Sequence, residues 1–312
     1  MRLIRGIHNL RAGDRGCALT IGNFDGVHRG HQSLLAQLCK KGRQRNTPIM
    51  VMLFEPHPLE RFSLESAPPR LTRLHEKLCY LKNAGVHSVL CARFSRHFAL
   101  QSAQNFITDL LINRLGVTLL AIGDDFRFGS GRSGDFFLLQ HAAIRYGFEI
   151  LGAKTLLDNK KRISSTAIRQ ALATNNLPLA TTLLGRPFSI CGRVVRGDSI
   201  GHMLGFPTAN VPLLRTATPI TGVYIVYVKQ LDNQVLHGVA NIGMRPTLAR
   251  SHKQLEVHVL DRFIDLYGQY IEVIFLYKIR DEKRFNSLAA LKEQIQDDVI
   301  VARNFFDQNS VN

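Results

Sequence analysis

His28 and His31 stand three residues apart in GNFDGVHRGH (22–31), just after a turn bounded by glycines. Two imidazoles at this spacing can face one anion and donate hydrogen bonds to a phosphoryl oxygen as charge builds on it. The pair alone reads more readily as a surface turn or half of a metal site. A second polar run, ISSTAIR (163–169), sets Ser164, Ser165 and Thr166 ahead of Arg169. Hydroxyls there can cap a helix start, and together with an arginine they can hold phosphate oxygens. In QLEVHVLD (254–261), strand alternation puts Leu255 and Val257 on one face and Glu256 and His258 on the other. Glu256 is then either a solvent-facing strand residue or a candidate general base.

The elements that must position these groups change character along the chain. In the first half, continuous apolar runs at 17–22, 48–54, 88–94, 117–123 and 148–153 alternate with helical patterns at 31–44, 73–85, 102–116 and 134–147. That alternation predicts βαβ units and a parallel sheet. GNFDGVHRGH then joins a strand's carboxyl end to a helix N-terminus, where open α/β sheets bind ligands and unpaired N–H groups suit a phosphate. The second half is β-rich, with runs at 189–197, 222–231, 236–243, 254–261 and 270–280 separated by short turns and no helices. It predicts a small antiparallel barrel, closed by a helix over 287–306. The boundary between the two is placed at Gly185, giving domains 1–185 and 186–312.

Composition sets the outer limits. With 312 residues the chain has room for two cores. No run approaches the roughly 18 apolar residues of a membrane span, and charges interrupt the first sixteen residues before a secretory core could form. None of the five cysteines lies in a C-x-x-C pair. They are expected to be free buried thiols, which points to the cytoplasm. Residues 1–185 carry 25 Lys and Arg against 12 Asp and Glu, a net of +13, whereas residues 186–312 carry 15 against 12, a net of +3. A basic half favours anionic partners, either nucleic acid or phosphorylated small molecules.

GNFDGVHRGH and ISSTAIR resemble the two signatures of the nucleotidyltransferase superfamily. Together with FEPHP (54–58), GDDFRFGSGRSGD (123–135) and GFPTAN (205–210), they resemble one family in particular, the bacterial bifunctional FAD synthetases. The motifs run in order from about residue 15 to about 304. The resemblance implies an α/β fold, with an N-terminal Rossmann-like FMN adenylyltransferase domain and a C-terminal β-barrel riboflavin kinase domain. It implies ATP, riboflavin, FMN and FAD as substrates and products, and Mg²⁺ as cofactor.

By the same resemblance, His28 and His31 stabilise the α-phosphoryl group, Ser164, Ser165, Thr166 and Arg169 hold the triphosphate, and Gly22, Asn23, Phe24 and Asp25 shape the nucleotide site. Phe54, His57, Pro58, Phe62, Asp124, Asp125 and Phe128 are candidates to meet the flavin, although any one phenylalanine could be ordinary core. In the second domain, Gly205, Pro207, Thr208 and Asn210 are expected around ATP, with Thr208 and Asn210 on Mg²⁺. Glu256 is the expected base, and a loop with Asn241, Arg245 and Thr247 is expected over the substrates. Members often carry several basic residues before the Pro-Thr-Ala-Asn run, where this chain has Ser199, Ile200 and His202. The expected partners are small molecules, with neither nucleic acid nor membrane. The competing readings are a nucleic-acid-binding protein using the basic half, and a single-activity flavin enzyme with one decayed site.

Overall fold

The computed structural model describes residues 1–62, 67–153, 155–158, 161–197, 200–215, 217–230, 234–246, 251–262 and 264–309. It divides into two compact units, Met1–Pro68 with Thr72–Ala167, and Pro69–Leu71 with Ile168–Asn312. The division falls inside a helix, upstream of the Gly185 boundary expected from the sequence.

The first unit is a six-stranded parallel sheet of β1 (Arg2–Arg5), β2 (Ala18–Ile21), β3 (Ile49–Phe54), β4 (Ser88–Ala92), β5 (Leu119–Gly123) and β6 (Glu149–Ala153). Its order is β1-β4-β3-β2-β5-β6. Alternate residues of the central strands enter two separate cores: Leu19, Met50, Met52, Leu120 and Ile122 enter one, and Ala18, Val51, Leu53, Leu119 and Ala121 the other. The sheet is therefore covered on both faces, which is why its strands read as unbroken apolar runs. The covering helices are α1 (Arg29–Gln44), α2 (Pro58–Phe62), α3 (Leu74–Asn83), α4 (Arg96–Ala99), α5 (Ala103–Asn105) and α6 (Phe136–Tyr146). A π-helix over Phe106–Arg114 follows α5, where the sequence predicts one regular helix. The chain runs outward through β3 and β4 on one side of β2 and returns to β5 on the other, so the switch point lies between β2 and β5. A two-stranded ribbon of β7 (Leu157–Asp158) and β8 (Lys161–Arg162) comes next.

Helix α7 (Ser165–Ala173) crosses the division, and α8 (Leu177–Leu184) belongs to the second unit. That unit is a nearly closed antiparallel barrel. Its strands are β9 (Ser189–Arg193), β10 (Thr208–Pro212), β11 (Gly222–Lys229), β12 (Val235–Pro246), β13 (Ser251–Val259) and β14 (Tyr270–Arg280), in the order β10-β13-β12-β11-β14-β9. A bridge from Val195 to Asn210 brings the two ends together.

Several expectations are corrected here. Strand β9 stops at Arg193 rather than 197. A short helix, α9 (Ile200–Met203), intervenes before β10, and β10 itself begins at Thr208 of the Pro-Thr-Ala-Asn run. The closing helix is α10 (Leu288–Asn309), which buries Val299, Ala302 and Phe306. All five cysteines are free as expected, but Cys79 is exposed and Cys191 half-buried. Among the described residues no helix is long and apolar enough to cross a membrane.

Candidate active sites

The first site opens at the switch point, in a cavity of about 620 Å³. His28 is the N-cap of α1, and its Nδ1 accepts from the His31 backbone N–H at 3.4 Å. That acceptor role leaves the neutral ring's proton on Nε2. The His28 and His31 rings stack, with centroids 3.7 Å apart. A β-carbon at Gly30 would stand 3.1 Å from the His28 ring, so the glycine between the histidines makes room for it. Burial, then the neighbouring His28 and Lys77, hold His31 well below the usual histidine range. His31 is thus neutral and offers one N–H.

The turn before α1 is held by buried polar groups. Asp25 Oδ1 accepts from the Thr72 backbone N–H at 2.9 Å and from its hydroxyl at 3.1 Å. Lys77 Nζ donates to the Asn23 carbonyl at 3.0 Å, and the Ser165 hydroxyl donates to the Asp25 carbonyl at 2.9 Å. Asp25 and Ser165 therefore build the turn. Ser164 Oγ accepts from the Ala167 N–H at 3.2 Å and so caps α7. Asn23 Oδ1 and His31 Nδ1 are buried with no hydrogen-bond partner among the described residues, and both residues line the cavity. Buried polar atoms are costly to leave unsatisfied, and a polar ligand here would satisfy them.

Gly22, Phe24, Phe54, His57, Pro58, Asp124, Asp125 and Phe128 also line this cavity. Asn23 Nδ2 lies 3.1 Å from His57 Nε2. Asp124 accepts from the Thr155 hydroxyl, and Asp125 is bound by Arg162 at 2.5 Å. Thr166 and Arg169 do not line it; Arg169 Nε donates to the Pro69 carbonyl at 2.6 Å. Phe62 ends α2, and its side chain lies outside the described residues. The sequence reading missed most of an aromatic wall. Phe54 meets Phe94 and Phe98 at 5.3 and 5.5 Å, Phe98 meets Phe106 at 6.2 Å, and Phe106 and Phe126 flank Phe128 at 5.1 and 5.7 Å. All six rings line the cavity, which gives it a broad apolar face in addition to the histidines' polar turn.

The second site is a cavity of about 370 Å³ in the barrel unit. Strand register places one row of residues across five strands: Asn210 opposite Glu256, Glu256 opposite Asn241, Asn241 opposite Val223, and Val223 opposite Arg280. The whole row lines the cavity, as do Thr208, Gln254 and His258. Leu255 and Val257 are fully buried on the other face. Asn210 is buried, and its Oδ1 accepts from Gln254 Nε2 at 2.7 Å. His258 Nδ1 lies 2.9 Å from the Pro207 carbonyl, and burial pushes its pKa down against that bond. Arg280 grips the buried Asp298 through Nε at 2.9 and 3.1 Å and Nη2 at 2.8 Å. Gly205 and Pro207 do not line the cavity. Thr247 and Ser199, and the side chains of Arg245 and Ile200, lie outside the described residues.

The donor set near β10 fits a hard cation shared with a ligand. Thr208 and Asn210 are two apart on one strand and share a face, and both offer oxygen. Among the described residues no cluster of three His, Cys, Asp or Glu could hold a metal alone. An ion kept by few protein oxygens together with phosphates is the usual arrangement for Mg²⁺.

Comparison with known proteins gives concordant matches. Residues 10–167 match the family model described as FAD synthetase, and residues 184–306 the one described as riboflavin kinase. The chain is 60% identical over 307 residues to the bifunctional riboflavin kinase/FMN adenylyltransferase of Escherichia coli (strain K12), covering 98% of both chains. It is 49% identical over 307 residues to the Haemophilus influenzae protein of the same description, covering 98% of this chain and all of that one. Among solved structures, a Streptococcus pneumoniae protein described as a macrolide-efflux protein superimposes with a TM-score of 0.81 at 32% identity, covering 97% of this chain and 99% of that one.

Proposed function

The chain belongs to the family of bifunctional riboflavin kinase/FMN adenylyltransferases, and from that membership we propose how its two cavities divide the work. The barrel unit phosphorylates riboflavin to FMN with ATP. The parallel-sheet unit transfers the adenylyl group of a second ATP to FMN, giving FAD and pyrophosphate. The observation that carries the assignment is that His28, His31, Ser164 and Ser165 line one cavity within the first unit, and Thr208, Asn210 and Glu256 line another within the second.

In the first cavity the FMN phosphate attacks the ATP α-phosphorus and pyrophosphate leaves. No covalent enzyme intermediate is required, so the protein's part is to position the groups and absorb charge. His28 and His31 donate to the α-phosphoryl oxygens. The α7 start, with Ser164, Ser165 and Thr166, faces the triphosphate. The phenylalanine wall carries the isoalloxazine ring. In the second cavity Glu256 accepts the proton of the riboflavin 5′-hydroxyl as its oxygen attacks the γ-phosphorus. Thr208 and Asn210 would hold Mg²⁺, which when bound neutralises the phosphate charge. Asn241 meets the substrates from the cavity wall. ATP and flavins account for the basic first half without a nucleic-acid partner, and the free thiols suit the cytoplasm.

Incubation of the protein with riboflavin, ATP and Mg²⁺ should give FMN first and FAD after a lag, read by chromatographic separation over time. A nucleic-acid-binding protein would give neither flavin, and a chain with one decayed site would stop at FMN or would need FMN supplied.

We further propose that the kinase unit includes α8. That helix buries Leu177, Ala180, Leu183 and Leu184, and the Tyr224 hydroxyl lies 3.4 Å from Asn175 Oδ1. Each of the three leucines is worth about 1.5–3 kcal/mol when buried. A fragment starting at residue 186 should therefore melt well below one starting at residue 168, with the longer fragment phosphorylating riboflavin. Equal melting midpoints would place the boundary at Gly185 after all.

A further inference from the structure

We propose that Arg132 binds the phosphate of the flavin substrate in the first cavity, and so selects FMN over unphosphorylated flavins at the adenylyl-transfer step. The proposal rests on the reading of the phenylalanine wall as the flavin site. Three arginines line this cavity, Arg127, Arg132 and Arg162. Arg162 is committed to Asp125 at 2.5 Å, and Arg127 Nη1 donates to the adjacent Phe126 carbonyl at 3.3 Å. Arg132 has no side-chain partner among the described residues. Among the described residues it is the lining arginine whose whole guanidinium is open to an incoming anion.

Its mount is rigid and strained. Phe128 and Gly134 exchange backbone hydrogen bonds at 3.0 and 2.8 Å, closing a small hairpin. A β-carbon at Gly134 would stand 2.6–2.7 Å from the Phe128 ring, so that glycine seats the ring against its own hairpin. Ser130 N–H donates to the Gln101 carbonyl at 2.8 Å, and a β-carbon at Gly129 would collide with the Ala103 backbone at 2.7 Å. Between these anchors Gly131 and Arg132 both adopt left-handed backbone, with φ of 62° and 59°. A glycine has no penalty there, whereas an arginine does, and such strain collects at functional sites. The hairpin thus presents one arginine and one wall phenylalanine, Phe128, to the same cavity. An anion covalently attached to an aromatic ring system, as in FMN, matches that pairing. The α-phosphoryl and triphosphate groups fall to the polar turn of His28, His31 and α7.

The test is steady-state adenylyl transfer by the full chain, with FMN and ATP varied separately and lumiflavin as a competitive inhibitor. Lumiflavin carries the ring without a phosphate or a phosphorylatable hydroxyl. In Arg132→Gln, KM for FMN should rise about ten- to a hundredfold, the size of one lost charge-assisted phosphate contact. The inhibition constant of lumiflavin and KM for ATP should hold, and Arg132→Lys should recover part of the loss. An unchanged KM for FMN overturns the proposal. So does a parallel weakening of lumiflavin, which would make Arg132 a support of the wall, or a rise confined to ATP, which would assign it to the leaving pyrophosphate. Failure of lumiflavin to compete in the unaltered protein would instead reject the wall as the flavin site, while the two KM values still decide what Arg132 holds.

Discussion

FAD formation by His28→Ala should fall roughly 10²-fold or more, with ATP binding changed far less and FMN formation in the barrel unit untouched. The size is that of removing one preorganised donor from an oxyanion-type site. The selectivity follows from when the donor acts. Charge on the α-phosphoryl oxygens peaks in the transition state, so an imidazole N–H contributes most there and little to ground-state binding. Geometry adds a complication, because His28 also caps α1 through its Nδ1. Alanine removes both the donor and the cap, and a lost cap costs about 0.5–2 kcal/mol of stability. His28→Asn separates the two. Asparagine caps helices well but does not reproduce the imidazole Nε2–H, so its melting midpoint should match the unaltered protein while its rate stays low. The measurements are single-turnover adenylylation of supplied FMN and ATP binding by calorimetry. A His28→Ala protein that adenylylates at the normal rate defeats the assignment. One that loses ATP binding in proportion to rate would make His28 a ground-state phosphate ligand.

What the sequence made legible and what it did not have separable physical causes. Strands β2 to β5 were readable because burial on both faces writes unbroken apolar runs. The turn after β2 was readable because its residues are consecutive. Strand β1 was not, because an edge strand of four residues with arginine at both ends carries no apolar period. Strand β10 was hidden by Pro207 and Gly205 just before it and by its polar motif residues. The phenylalanine wall was illegible for a different reason. Phe94, Phe98, Phe106 and Phe126 come from separate segments, each with an ordinary core explanation, and only the fold brings them to one cavity. The helices before Gly185 look like an extension of the first half, since their apolar faces do not say which core they enter. The row from Asn210 to Arg280 depends on register between strands far apart in the chain, which no local pattern encodes.

That row supports the second large effect. Glu256→Gln should cut riboflavin phosphorylation by about 10²–10⁴-fold, the usual contribution of a positioned base, while supplied FMN is still converted to FAD. Three carboxylates line the cavity: Glu256, Glu282 and Asp298. Asp298 is unsuited to proton transfer, because Arg280 binds both its oxygens and it is almost wholly buried. Glu282 packs so close to Gly243 that a β-carbon there would collide with its carboxylate, a placement toward the far end of β12. Glu256 instead sits between Asn210 and Asn241 in the strand register, beside the oxygens proposed to hold the metal and its phosphates. A hydroxyl approaching a γ-phosphate held at Thr208 and Asn210 would meet this carboxylate on the same face. Glutamine preserves the volume and the hydrogen-bonding reach but has no basic oxygen to take the proton, so the loss should appear in kcat with KM for riboflavin little altered. Glu282→Gln is the paired control and should retain most of the rate. Normal FMN production by a folded Glu256→Gln protein would remove Glu256 from the role, and a larger loss in Glu282→Gln would transfer the base to the other carboxylate.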